Sequence, residues 1–166
     1  GFTLVSFHPK LTAAELSAQM ADAALDAFST DLASLASLQR AAAPFTASSL
    51  GVDAPLLQLY TSGTTGSARG AVLSTRAMFS AARASSRRLG TGPDDVWLAC
   101  MPLAHIGGLS IAARALVDGF SVISHAGFDA ARVWDAVTSG EVTRVSLVPT
   151  MLLRLLDEAG GRRPSS

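Results

Sequence analysis

Residues 96–125 read VWLACMPLAHIGGLSIAARALVDGFSVISH. VWLACM (96–101) is a short apolar run of the kind that forms a buried strand. GLSIAARALVDG (108–119) has helical length and ends on Gly119, the residue type best suited to stop a helix. FSVISH (120–125) is a second apolar run. Strand, helix and strand in this order predict a βαβ unit, and hence a parallel sheet covered by helices. The grammar continues outward toward the C-terminus. DAARVWDAVTSG (129–140) predicts a helix with Asp129 as N-cap and Gly140 just past its end. VTRVSLVP (142–149) predicts a strand, and TMLLRLLDEAG (150–160) a helix capped by Thr150. Residues 96–160 therefore read as βαβαβα, with a polar tail, GRRPSS, behind them.

Working outward in the other direction, GTGPDD (90–95) is a turn. A helix is predicted from a cap at Ser74 or Thr75 to Leu89, with Met78, Ala82, Ser85 and Leu89 on one side. AVLS (71–74) and LLQLY (56–60) read as short strands flanking a Gly/Thr-rich loop. PFTASSLGVDAP (44–55) reads as a linker. The first 50 residues form a helical lead-in. Thr12-Ala-Ala-Glu15 is a capping box opening a helix with Leu16, Met20 and Ala23/Ala24 on one face. Ser29 or Thr30 caps a second helix with Leu32, Leu35 and Leu38. The expected class is α/β, mostly parallel sheet with flanking helices.

The 166 residues predict one domain. Hydrophobic residues make up 49% and charged residues 16%, so much of the surface is expected to be covered. The formal net charge is zero, which removes the electrostatic case for nucleic acid or an anionic membrane. The single cysteine, Cys100, cannot form an internal disulfide and fits a reducing compartment. No apolar run reaches the roughly 18–20 residues that span a bilayer. The N-terminus lacks a basic segment followed by an apolar core. A cytoplasmic setting is expected.

The loop between the two short strands lies in LYTSGTTGSARGAVLS (59–74). Five hydroxyl residues and three glycines fall between Thr61 and Gly70. Thr61, Ser62, Thr64, Thr65 and Ser67 offer hydroxyl donors. Gly63, Gly66 and Gly70 let the backbone turn and present N–H groups. Arg69 adds a forked positive charge suited to phosphate oxygens. The spacing is not that of a Walker loop, which needs Gly, four residues, then Gly-Lys-Ser/Thr. A strand-like segment follows in place of a helix, so a hairpin loop is expected. On composition alone, an exposed Gly/Ser/Thr turn without a ligand is an equal reading.

YTSGTTGSARGAVLS resembles the signature loop of adenylate-forming enzymes, [ST]-S-G-[ST]-T-G-x-P-K-G-V. Ala68 stands where proline is usual and Arg69 where lysine is usual. WLACMPLAHIGGLSIAARALVDG (97–119) resembles the family's Pro-Leu-x-His-x-x-Gly segment. VTRVSLVPTMLLRLLD (142–157) resembles the strand–Val-Pro-Thr–helix block of acyl-CoA ligases, and FHPKLTAAELSAQM (7–20) the segment upstream of the loop. All stand in family order. Within the superfamily, His105-Ile-Gly-Gly-Leu-Ser, Arg114 and AGFDAARVWDAV look most like the o-succinylbenzoate–CoA ligase branch of menaquinone synthesis. General fatty or aryl acyl-CoA ligases share many of these residues.

The resemblance implies activation of a carboxylate by ATP to an acyl-adenylate with release of pyrophosphate, then thioester formation with CoA. By matching position, Thr61, Ser62, Gly63, Thr64, Thr65 and Gly66 cradle the β- and γ-phosphates with Arg69. Mg²⁺ bridges phosphates with few protein ligands, and no dedicated metal site is expected. His105 follows a strand at the sheet edge where ligands gather. By analogy it is the catalytic histidine, lining the acyl pocket and orienting the carboxylate; bonding to a backbone carbonyl is the plainer alternative. Gly107 and Gly108 leave room for substrate or simply make a tight turn. His125, ending a strand, is expected to meet solvent, and His8 to stand in a loop without a partner. Cys100, Met151, Leu152 and Leu155 read as core. Arg114 reads as a helix-surface arginine before it reads as a ligand.

The resemblance covers an internal part of the family's N-terminal domain, without the segments expected for adenine, ribose and the C-terminal lysine. The chain is thus expected to be a fragment, inactive alone. The alternatives are a non-catalytic nucleotide- or partner-binding module, with apolar surface covering an inter-domain or homodimer face, and, less favoured by the spacing, a kinase-like phosphotransferase.

Overall fold

The computed structural model describes residues 3–30, 51–61 and 68–162. They fall into two compact units, Gly1–Ser74 and Thr75–Ser166. Each unit is built on a three-stranded sheet of its own.

The first unit contains β1 (Leu4–Ser6), α1 (Ala13–Ala23), β2 (Pro55–Thr61) and β3 (Arg69–Ser74). The central β2 pairs in parallel with β1 and antiparallel with β3. Alternation along β2 buries Leu57 and Leu59 on one face, while Gln58 and Tyr60 take the other. The capping box at α1 forms as the sequence predicts: Glu15 N–H donates to Thr12 Oγ1 and Thr12 N–H to Glu15 Oε2. The helix expected after Ser29 or Thr30 lies outside the described residues, as does most of the linker.

The second unit runs α2 (Thr75–Leu89), β4 (Val96–Ala99), α3 (Ile106–Asp118), β5 (Ser121–Ser124), α4 (Ala130–Thr138), β6 (Arg144–Val145) and α5 (Pro149–Ala159). Its strands are all parallel, in the order β5-β4-β6. Alternation along β4 builds two cores. Trp97 and Ala99 pack with Ile111 of α3 and Phe120. Leu98 and Cys100 face the other way, against Val133, Trp134 and Ala136 of α4 and Leu155 and Ala159 of α5. The helices thus flank both faces, with α2 packed on α3. Among the described residues no helix is long and apolar enough to cross a membrane.

Helix ends follow local chemistry. Asp129 Oδ1 accepts the Arg132 N–H at the start of α4, and Gly119 closes α3 at φ 77°. Three expectations are corrected. The cap of α5 is Val148, without a side-chain bond, because Pro149 takes the first helical position; Thr150 lies inside the helix. The last strand is confined to Arg144–Val145. Before it, the Thr143 hydroxyl takes the Val96 N–H that a ladder bond would use; after it, Pro149 commits the chain to a helix. On α2 the buried stripe is Met78, Ala82 and Ser86, whereas Leu89 is exposed.

Candidate active site

The Gly/Thr loop is carried on the β2–β3 hairpin. Thr61 and Arg69 are directly opposed across it, and Tyr60 is opposed to Gly70. The Thr61 hydroxyl lies 3.4 Å from the Arg69 carbonyl oxygen, and both residues are exposed. Ser62, Gly63, Thr64, Thr65 and Gly66 lie outside the described residues. Gly70 leaves room in the stem for the Gln58 side-chain amide, which a Cβ there would displace. Its smallness serves strand packing, not the turn that sequence reading assigns to it.

The second expected cluster forms at the turn between β4 and α3. His105 is the N-cap of α3, with extended backbone and no side-chain cap bond. Its N–H donates to the Pro102 carbonyl at 3.2 Å, and its own carbonyl accepts from the N–H groups of Gly108 and Leu109. The residue is exposed, at the carboxyl end of the central parallel strand, where open α/β sheets bind ligands. Gly107 and Gly108 follow but do different work. A Cβ at Gly108 would lie 2.5 Å from the Pro102 oxygen and 2.8 Å from the Met101 oxygen, so helix and turn touch there backbone to backbone. A Cβ at Gly107 would meet only the flexible end of Met101, at 3.2 Å.

Arg114 is not on the surface. It is 5% exposed, with its guanidinium carbon 4.0 Å from the centre of the Trp97 ring. Its three polar contacts are the Ser110 carbonyl and the hydroxyls of Ser85 and Ser146, at 3.3–3.5 Å; none is a carboxylate. Burial pushes its pKa down, and the nearby Asp118 pushes it back up. The spacing that reveals its burial is legible in hindsight: Ile111, Arg114 and Ala115 fall on one helical face. Arg114, Trp97, Ser146, Leu147, Leu89 and Arg144 line an open groove of about 460 Å³. Arg144 is tied down by Asp95 at 2.8 Å and by the carbonyls of Leu89 and Gly90. With Thr143 and the Gly92 N–H, Arg144 holds the Asp95 carboxyl down at about 2.

The remaining histidines differ from expectation. His125 is half-buried instead of solvent-facing, and its Nδ1 is enclosed without a hydrogen-bond partner. His8 Nδ1 accepts the Lys10 N–H. Cys100 is core, 1% exposed, its thiol pKa pushed up by burial. Leu155 is buried as expected, but Leu152 is exposed. Among the described residues no three His, Cys, Asp or Glu side chains group to hold a metal ion.

A 2-succinylbenzoate–CoA ligase of Bacillus mycoides is 40% identical over 109 residues, covering 65% of this chain and 23% of that protein. The chain thus spans under a quarter of the length of this curated relative. O-succinylbenzoate coenzyme A synthetase from Bacillus subtilis in complex with AMP superposes with TM-score 0.81 at 29% identity, over 94% of this chain and 45% of that one. The same enzyme with ATP and magnesium ion gives 0.78 at 30%, over 93% and 36%. The profile of the family described as AMP-binding enzyme matches residues 9–165. The chain belongs to the AMP-binding enzyme family.

Proposed function

We propose that this chain is the phosphate-gripping and acyl-binding part of an ATP-dependent acid–CoA ligase, of the o-succinylbenzoate class in menaquinone synthesis. The observation that carries the reading is the hairpin, which presents Thr61 and Arg69 opposite each other at the base of the TSGTTG loop. A hydroxyl and a guanidinium so placed suit phosphate oxygens. In this reading Thr61, Ser62, Gly63, Thr64, Thr65, Gly66 and Arg69 hold the β- and γ-phosphates of ATP. When bound, Mg²⁺ neutralises phosphate charge. His105 lines the acyl site with Gly107 beside it, and the compact Gly108 keeps the turn tight. The acyl-adenylate then passes to CoA in the complete, cytoplasmic enzyme.

Arg114 favours an acidic acyl substrate over an alkyl one. Its buried guanidinium has hydroxyl and carbonyl neighbours but no carboxylate, and it opens on a groove. Asp118 supplies a charge nearby but no direct contact, and a substrate carrying a second carboxylate would supply a directly paired one. Calorimetric titration of the 166-residue chain with ATP·Mg²⁺ and with o-succinylbenzoate tests the reading. Binding of ATP·Mg²⁺ that weakens on Thr65→Ala supports it. A folded chain that binds neither ligand overturns it.

A further inference from the structure

Tyr60 immediately precedes Thr61, where β2 runs into the loop. Its ring stacks on Phe7, with centroids 6.0 Å apart and planes 19° apart. Its hydroxyl lies 2.6 Å from Asp22 Oδ2 and 2.9 Å from the Gln19 carbonyl oxygen, both on α1. One phenol proton serves one acceptor at a time, and the closer, charged carboxylate is the stronger. Gln58 Nε2 donates to the same phenol oxygen at 3.0 Å, and the Gln58 amide also fills the space above Gly70 on β3. β2 is therefore tied through side chains to α1, and the Gln58 amide held in that network packs over Gly70 of β3. Burial, the Asp22 hydrogen bond and the Asp22 charge raise the Tyr60 pKa to about 12, so the phenol keeps its proton and donates throughout the neutral range.

We propose that Tyr60 and Asp22 form a clasp that positions the stem of the phosphate-binding hairpin, each acting as a positioning residue for the loop. The proposal rests on the phosphate-gripping reading above. Every residue that must be ordered for a polyanion to bind opposes that binding, so a stem held in place beforehand favours it. Proline at the start of the stem would restrict its freedom, but this chain has Ala68 there. Ala68 lines a cleft of about 420 Å³ together with Glu15, Gln19, Asp22 and Tyr60. The clasp sits one residue before the loop on β2 and, through Gln58 and Gly70, just behind it on β3. It supplies from α1 the rigidity that the stem sequence lacks.

The test uses Tyr60→Phe, which keeps the ring and its stacking and removes only the hydroxyl, with Asp22→Ala, which removes the carboxylate acceptor, as the second variant. Amide hydrogen exchange at residues 68–71 of the ligand-free protein is expected to quicken by about tenfold in either variant, the scale of one lost hydrogen bond. The dissociation constant for magnesium pyrophosphate is expected to rise by about three- to tenfold. The double variant should be no worse than Tyr60→Phe alone, since both substitutions remove the Tyr60–Asp22 bond and Tyr60→Phe also removes the Gln58 contact. Thr65→Ala should weaken pyrophosphate binding while leaving stem exchange unchanged. Wild-type protein that fails to bind magnesium pyrophosphate overturns the phosphate reading and this proposal with it. Wild-type protein that binds, with both variants unchanged in affinity and exchange, overturns the clasp alone, as do strictly additive effects.

Discussion

Gly107 and Gly108 are adjacent, identical in type and equivalent to any reading of sequence, yet their surroundings separate them. The backbone oxygens beside Gly108 cannot move away, so Gly108→Ala is expected to cost about 1–3 kcal/mol through overpacking. Gly107→Ala, which meets a methionine terminus, should stay within about 1 kcal/mol. Urea unfolding of the two variants measures the contrast. Arg114 separates binding from stability. Because removing a buried charge in favour of an apolar chain of similar volume is often neutral or stabilising, Arg114→Met should leave the melting temperature unchanged or raised. It should weaken o-succinylbenzoate binding by about 10–100-fold, the range of a charged hydrogen bond. Asp95 carries a pH signature. Its folded pKa, about 2, lies below the ordinary 3.8, so its contribution is complete above about pH 4 and is lost as pH falls toward 2. Asp95→Asn should flatten that part of the acid unfolding curve.

At the scale of elements, local chemistry was legible and long-range pairing was not. The caps at Thr12 and Asp129 and the stop at Gly119 lie where their side chains or backbone freedom demand, because each bond spans only three or four residues. The hairpin was legible for the same reason: AVLS after the loop has strand character and too few residues to start a helix. The cap of α5 was misread because Thr150 is a better cap by type than Val148, and only the first-turn position of Pro149 decides between them. That leaves a helix start without a side-chain acceptor. Val148→Ser should gain about 0.5–1 kcal/mol, measurable as a rise in the urea midpoint. The shortness of β6 depended on a threonine hydroxyl reaching a strand distant in sequence, which no local pattern encodes.

At the scale of the molecule, the described residues keep much apolar surface. Leu116 is 77% exposed, Leu153 62% and Leu156 57%. Leu153 and Leu156 stand about one turn apart on α5, both more than half exposed. Contiguous apolar surface of this kind drives association. Replacing both leucines by glutamine is expected to reduce self-association in light scattering, with a stability change within about 0.5 kcal/mol per site.

The sequence by itself determined the α/β class, the order of strands and helices from Val96 onward, and the family, because periodicity, caps and motif spacing are properties of neighbouring residues. His105 and the hairpin stem could likewise be placed at the ends of strands. Only the tertiary structure decided that Arg114 is buried over Trp97, that Tyr60 reaches Asp22 on α1, and that Gly108 yields to packed backbone. Those outcomes depend on which groups meet in space, some of them, such as Tyr60 with Asp22 and Arg114 with Ser146, across more than 30 residues of chain. Burial and charge pairing are set by that meeting, not by the residues on either side in sequence.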